Sequence, residues 1–319
     1  MRCLVTDYLR AYAGTVALDP VADISASKLT RAQAFDLLEP MRSRPVVARR
    51  LRQGLGAAWD HRLDAGRLPP ETPNWWRLVL RGKLPSQGKR IGGAPVMQAK
   101  RVLNDAELTQ LLAWLPNFSR DVQDVLTLYL WTLCRGAEIV AMAADEISRE
   151  RDGLWWTVPR AKLKMRRNPM TVDLRVPLLG RARQVVERRL ALARDSKAVW
   201  LFPSPGKAGH IQQKAIGVAV WWHMPYSGTR PGQARPRLPV THWAPHDLRR
   251  TGRTMVAALG CPAEIGEALP GHLPPGVQAI YNRHGYDRER RQWRVQLDKR
   301  LEQLANAPAK KVKSEGGSR

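Results

Sequence analysis

PHDLRRTGRTMVAALGCPAEIGEALPGHLPPGVQAIYNRHGY, residues 245–286, is the stretch that decides the fold. His246 and Arg249 stand three apart, so on a helix they share one face. His272 follows a glycine, and Tyr281 comes further on, just ahead of Asn282 and Arg283. Histidines, an arginine and a tyrosine on adjacent short helices are an unusual way to build a core. They suit a phosphate site with a phenolic nucleophile.

Upstream, the greasy run from Val125 to Ala144 has the length of a membrane span but contains Arg135 and Glu138. It reads as a buried helix pair carrying two functional charges. Glu138 lies three residues after Arg135, on the same face, and is placed to orient it. Further on, RAKLKMRRN spans Arg160 to Asn168 between two alternating segments, residues 154–158 and 171–177. This predicts a small antiparallel sheet with a basic hairpin, with Lys164 on the hairpin and Lys162 as its rival.

The bulk numbers agree with an anionic partner. Lys plus Arg is 53 against 28 Asp plus Glu in 319 residues, a net charge of +25. A folded chain that basic calls for a polyanion, and charge spread along the whole chain favours nucleic acid over a membrane surface. Three distant cysteines (Cys3, Cys134 and Cys261) argue against a disulfide framework and a zinc site, and fit a reducing compartment. The N-terminus lacks the apolar run of a signal peptide.

The chain is expected to be mainly α with a small antiparallel β-sheet, in two domains. Residues 1–85 read as a helical block, with Ser27 or Thr30 as an N-cap and a helix over 46–64. Residues 86–98 sit within a Gly, Pro and basic stretch that serves as the linker. Residues 99–305 form the second domain, opened by an Asn104–Glu107 capping box. Helices are predicted over 122–134, 181–194, 210–222 and 287–304, with a basic disordered tail over 306–319. The tryptophan pairs at 75–76, 155–156 and 221–222 read as packing residues.

Cleaving a phosphodiester without a metal needs fixed cations for the phosphorane, a nucleophile, and an acid for the leaving oxygen. Arg135, Lys164, His246, Arg249, His272 and Tyr281 offer those parts in that order. Together they resemble the tyrosine recombinases, specifically the phage-type integrases. The carrying residues are Thr132 to Glu138 (TLCRGAE), Lys164 in KLKMRR, His246 to Thr251 (HDLRRT), Gly271-His272 and Ala279 to Arg283 (AIYNR). Two positions depart from the pattern: Leu133 where glycine is common, and Pro270 where an aliphatic residue is usual.

The resemblance implies a helical core-DNA-binding domain followed by an α+β catalytic domain, clamped on DNA, and without the arm-binding domain of many such integrases. It implies that Arg135 and Arg249 clamp the scissile phosphate, Lys164 protonates the leaving 5′ oxygen, and His246 assists proton transfer. His272 would hydrogen-bond the phosphate, Glu138 would support the site, and Tyr281, rather than Tyr286, would attack. The product would be a 3′-phosphotyrosyl link, made without metal, cofactor or ATP. The partners implied are double-stranded DNA at specific recombination sites, a homo-tetramer on that DNA from a monomer free in solution, and accessory DNA-bending or directionality proteins. The place implied is the bacterial cytoplasm, at the nucleoid. The alternatives are a non-catalytic DNA-binding relative and a type IB topoisomerase-like enzyme.

Overall fold

The structure, a computed structural model, describes residues 20–85, 90–91, 94–95, 101–228, 234–272 and 286–308. The chain divides into two units between Val96 and Met97.

In the first unit, Thr30 is the N-cap of α1 (Arg31–Leu38). Its hydroxyl accepts from the Gln33 amide at 3.3 Å, and the Gln33 side chain accepts the Thr30 amide at 3.0 Å. That reciprocal capping is the reason the helix starts at Thr30 and not at Ser27. Helix α2 (Pro45–Asp64) opens on a proline at its first position, where the missing N–H costs nothing. Its apolar face, with Leu51 and Trp59, packs with Leu37, Leu38 and Trp76. Trp76 is buried in the short helix α3 (Trp75–Leu78), and the Trp75 indole donates to the Leu29 carbonyl at 2.9 Å. The first tryptophan pair is therefore packing. In the connecting stretch, β1 (Arg90–Ile91) pairs antiparallel with β2 (Ala94–Pro95).

The second unit opens with α4 (Asp105–Trp114), capped by Asn104 and Glu107 as the sequence predicts. Its centre is α5 (Arg120–Thr132), in which every residue from Asp124 to Thr132 is buried. A helix that is apolar almost all round must be covered on every side. Helices α7 (Gly180–Asp195), α8 (Gln213–His223), α9 (Pro245–Ala258) and α11 (Asp287–Asn306) pack around it, together with the short α6 (Gly136–Val140). Asp124, the one acid in the buried part of α5, is reached by Arg188 and Arg189 of α7 at 2.5 and 2.7 Å.

The sheet is antiparallel, in the order β3 (Ile147–Glu150), β4 (Gly153–Val158), β5 (Leu174–Leu178). Trp156 stands opposite both Ile147 and Val176. Strand β3 goes beyond the sequence expectation; it is short, and two of its four residues, Arg149 and Glu150, are exposed. Trp155 and Trp156 are buried, as expected. Trp222 is not: it is 40% exposed, with the Arg235 guanidinium 4.6 Å from its ring centroid. The packing reading of that residue is corrected, because α8 ends at the surface there. The predicted disordered tail lies, from residue 309 on, outside the described residues.

Candidate active site

The site begins where α5 stops. Leu133 follows the last turn at φ 55°, in the left-handed region that usually selects glycine. Leucine is kept there by burial, since Leu133 is fully buried. Its side chain needs Gly252 opposite: a Cβ on Gly252 would come within 2.4 Å of Leu133 Cδ2. The departure at Leu133 thus leaves the turn intact.

Arg135 then takes an extended conformation and starts α6. The Glu138 carboxylate accepts the Arg135 backbone N–H at 2.8 Å and its Nη1 at 2.9 Å. Glu138 is 1% exposed and Arg135 19%, so the pair is fixed from the inside and open at the guanidinium. The Glu138 carboxylate thus fixes the direction of the Arg135 guanidinium.

Helix α9 displays HDLRRT with its residues sorted by direction. His246 is exposed. The Asp247 carboxylate accepts the Ala244 amide at 2.9 Å and caps the helix. Leu248 enters the core. Thr251 accepts the Leu103 amide at 3.0 Å. Arg249 is buried and points to the end of α5. Its Nη1 donates to the Leu133 carbonyl, and its Nη2 donates to the Pro270 carbonyl at 3.0 Å and meets His272 Nε2 at 2.9 Å.

A guanidinium has about five N–H donors and no acceptor. Three contacts are made among the described residues, fewer than the donors the group carries. No carboxylate of the described residues forms an ion pair with Arg249. Burial holds it below its ordinary pKa, and the Arg135 charge adds to the lowering.

His272 stands between two α-helices. Its Nδ1 lies 2.6 Å from Glu267 Oε2, on α10 (Ala263–Ala268). Burial pushes its pKa down, the Glu267 hydrogen bond opposes this, and Arg249 and Arg135 add to the fall. The ring is therefore neutral near pH 7, and Arg249 can only donate to Nε2, so the proton sits on Nδ1. His246 is held below its ordinary value by partial desolvation, then by Arg250 and Arg249, with Arg135 a smaller contributor. Arg135, His246, Arg249 and His272 are thus brought together. Cys134, in the same place, is fully buried and its thiol is pushed up to about 11, first by burial and then by Glu138. It is a packing residue, not a nucleophile.

Lys164 is exposed on the connection between β4 and β5, and has no ion-pair or hydrogen-bond partner among the described residues. Lys162 is engaged: its Nζ donates to the Ala141 carbonyl at 2.6 Å and pairs with Glu146. That leaves Lys164 as the free lysine of the two. Tyr281 lies outside the described residues. The rival Tyr286 starts α11 in the left-handed region, with its hydroxyl donating to Glu264.

Three neighbours of the site are not marked out by the sequence. Glu267 and Arg253 hold His272 from behind, with Arg253 Nη2 donating to Glu267 Oε1 at 2.9 Å. The only hint is spacing, since Arg253 lies one helical turn after Arg249. Arg294 of α11 is 2% exposed and donates to the carbonyls of Trp131, Thr132 and Leu269. Nothing in the sequence separates it from the other arginines of that helix.

No protein-family model and no curated protein matches the chain in sequence. Its fold is that of the integrases of the tyrosine recombinase class. The Tn1549 transposon integrase in complex with circular intermediate DNA is similar over 91% of this chain and 98% of that one, with a TM-score of 0.52 and 12% identity. The same integrase with transposon right end DNA gives 0.53 and 14% over the same shares. A lambda integrase dimer bound to a COC′ core site is similar over 89% of this chain and 77% of that one, with a TM-score of 0.51 and 12% identity.

Proposed function

We propose that the chain is a site-specific DNA recombinase that breaks and rejoins DNA through a 3′-phosphotyrosyl intermediate, to integrate or excise a phage, genomic island or other mobile element. The observation that carries this reading is Arg249, a buried guanidinium that forms no ion pair with a carboxylate among the described residues, beside Arg135. Two guanidinium groups this near each other, one of them oriented by Glu138, suit an anion with several acceptor oxygens, and a phosphodiester fits. The fold shared with DNA-bound integrases and the +25 charge point the same way.

In this reading Arg135 and Arg249 donate to the nonbridging oxygens. The charge that builds on them in the phosphorane meets cations already in place, worth about 3 kcal/mol for each donor group. Tyr281 attacks phosphorus and gives its proton to His246. The bond from phosphorus to the 5′ oxygen breaks, and Lys164 protonates that oxygen. Attack by a 5′ hydroxyl of the partner duplex reverses the step, so phosphodiester bonds are conserved without ATP. A homo-tetramer on two duplexes, assembled from monomers with accessory DNA-bending or directionality proteins, in the bacterial cytoplasm at the nucleoid, completes the proposal.

The test is a nicked suicide duplex on which the released 5′ end diffuses away. Wild type should accumulate a covalent protein–DNA adduct, and Tyr281→Phe should form none. An adduct that survives Tyr281→Phe sinks the assignment of the nucleophile. Relaxation of any supercoiled plasmid would favour a topoisomerase-like enzyme, and tight binding without cleavage a non-catalytic DNA-binding protein.

A further inference from the structure

We propose that Glu267 is a positioning residue that makes His272 a proton-coupled phosphate ligand. The proposal rests on the recombinase reading for its consequence, but its structural half stands without it. The geometry is a closed relay. Arg249 and Arg253 leave α9 on one face, four residues apart. Arg253 donates to Glu267 Oε1 through Nε at 3.2 Å and Nη2 at 2.9 Å. Glu267 Oε2 takes His272 Nδ1 at 2.6 Å, and His272 Nε2 returns to Arg249 at 2.9 Å.

The relay is built in. Gly266 permits it, because a Cβ there would come within 2.7 Å of the Arg253 guanidinium that lies across α10. The His272 amide also donates to the Glu267 carbonyl at 3.0 Å, which fixes the backbone of the pair. Glu267 is kept ionised: burial would raise its pKa, but the hydrogen bonds from His272 and Arg253 outweigh it and hold it below the usual carboxylate range.

In the relay as it stands, Nε2 carries a lone pair and accepts from Arg249. Nonbridging phosphate oxygens are acceptors too, so the same Nε2 cannot bond one in that state. It becomes a donor only by taking a proton, which gives an imidazolium between the Glu267 carboxylate and the phosphate. Arg249 Nη2 is then released to donate to the phosphate as well. The proton comes from solvent. The charges facing the ring are Glu267 and, behind it, Arg253, with Arg249 on α9 and Arg135 at the start of α6. Phosphate offsets the two arginines that disfavour the imidazolium, and Glu267 favours it. Engagement of the scissile phosphate should therefore take up a proton at His272, and Glu267 should set the pH at which it does.

Two measurements on the full chain decide this. The first is nitrogen-15 NMR of histidine-labelled, DNA-free protein, with His272→Gln to assign the resonance. Wild type should show the Nδ1–H tautomer with its proton shifted downfield by the carboxylate, and Glu267→Gln, whose amide oxygen accepts more weakly, should move that proton upfield. A wild-type Nε2–H tautomer overturns the proposal whatever the protein does to DNA. The second is the single-turnover rate of adduct formation against pH. The rate should fall as pH rises through the His272 pKa of the complex. In Glu267→Gln that fall should come about one pH unit lower, with about a tenfold loss near neutrality. Glu267→Asp should recover part of both. A loss that is equal at every pH, or no recovery by Asp, makes Glu267 a structural residue only and overturns the proposal. If wild type cleaves no duplex, the recombinase reading fails, and the NMR result still decides the role of Glu267.

Discussion

Arg249 and Arg294 hold adjacent rungs of the same two chain segments. Arg294 donates to the carbonyls of Thr132 and Leu269, and Arg249 to those of Leu133 and Pro270. The end of a helix leaves carbonyls without partners and carries a partial negative charge, so guanidinium groups are well placed there. One arginine belongs to the site; the other, from α11, fixes the segments on which it stands.

Arg294 should therefore matter to both stability and chemistry. Arg294→Ala leaves buried carbonyls unpaired, at about 1–3 kcal/mol each. A fall of about 3 kcal/mol or more in denaturant-unfolding stability is expected. At a temperature where the variant is still folded, adduct formation should be slower than wild type with little change in DNA affinity. Wild-type stability would show that the guanidinium is dispensable.

Stability should depend on pH through the two site histidines. His246 and His272 both have folded pKa values below the unfolded one, each with burial as the first cause. Between those values and the unfolded pKa near 6.5, the unfolded chain binds more protons than the folded one. Stability then rises with pH across that window and is lost as pH falls through it. Urea midpoints of the DNA-free protein at pH 7.5 and 5.5 check this. The double variant His246→Gln, His272→Gln should show a smaller drop than wild type.

The buried acid of α5 gives a control away from the site. Asp124 is 2% exposed and is held by Arg188 and Arg189. Asp124→Ala leaves Arg189, itself 6% exposed, with Asp121 at 2.6 Å as its remaining carboxylate among the described residues, and should cost about 1–3 kcal/mol. Calorimetry should show the loss. The pH dependence of adduct formation should stay that of wild type, because no residue of the relay around His272 touches Asp124.

Much of this was legible because the signals were local. Asn104 with Glu107 is capping chemistry readable at three-residue spacing, whereas Ser27 and Thr30 stayed equal candidates until the Gln33 bonds selected Thr30. The mainly α fold with a small antiparallel sheet follows from periodicity, and Arg135, as a charge in an apolar run, marks itself. What escaped depends on tertiary neighbours. Glu267 matters because Gly266 lets Arg253 cross α10, and Arg294 because α11 docks it on α5; neither fact is in the local sequence. Trp222 reads as apolar, but its helix ends at the surface under Arg235.

The two lysines of the β4–β5 connection should separate by function. Lys162 is tied to the Ala141 carbonyl and to Glu146, whose carboxylate also takes the Trp156 indole at 3.0 Å. Lys162→Ala removes the cation from a nearly buried carboxylate and should cost about 2 kcal/mol of stability. It should leave the chemical step within a few-fold of wild type. Lys164 is exposed and unpaired among the described residues, so Lys164→Ala should leave stability within about 0.5 kcal/mol. If Lys164 is the general acid, its loss should slow adduct formation by about a hundredfold or more. A duplex with sulfur in place of the 5′ leaving oxygen separates that role from simple phosphate binding, because a thiolate leaves without being protonated. Lys164→Ala should cleave it nearly as fast as wild type does. A variant equally slow on oxygen and sulfur substrates would instead make Lys164 a phosphate contact and move the acid elsewhere.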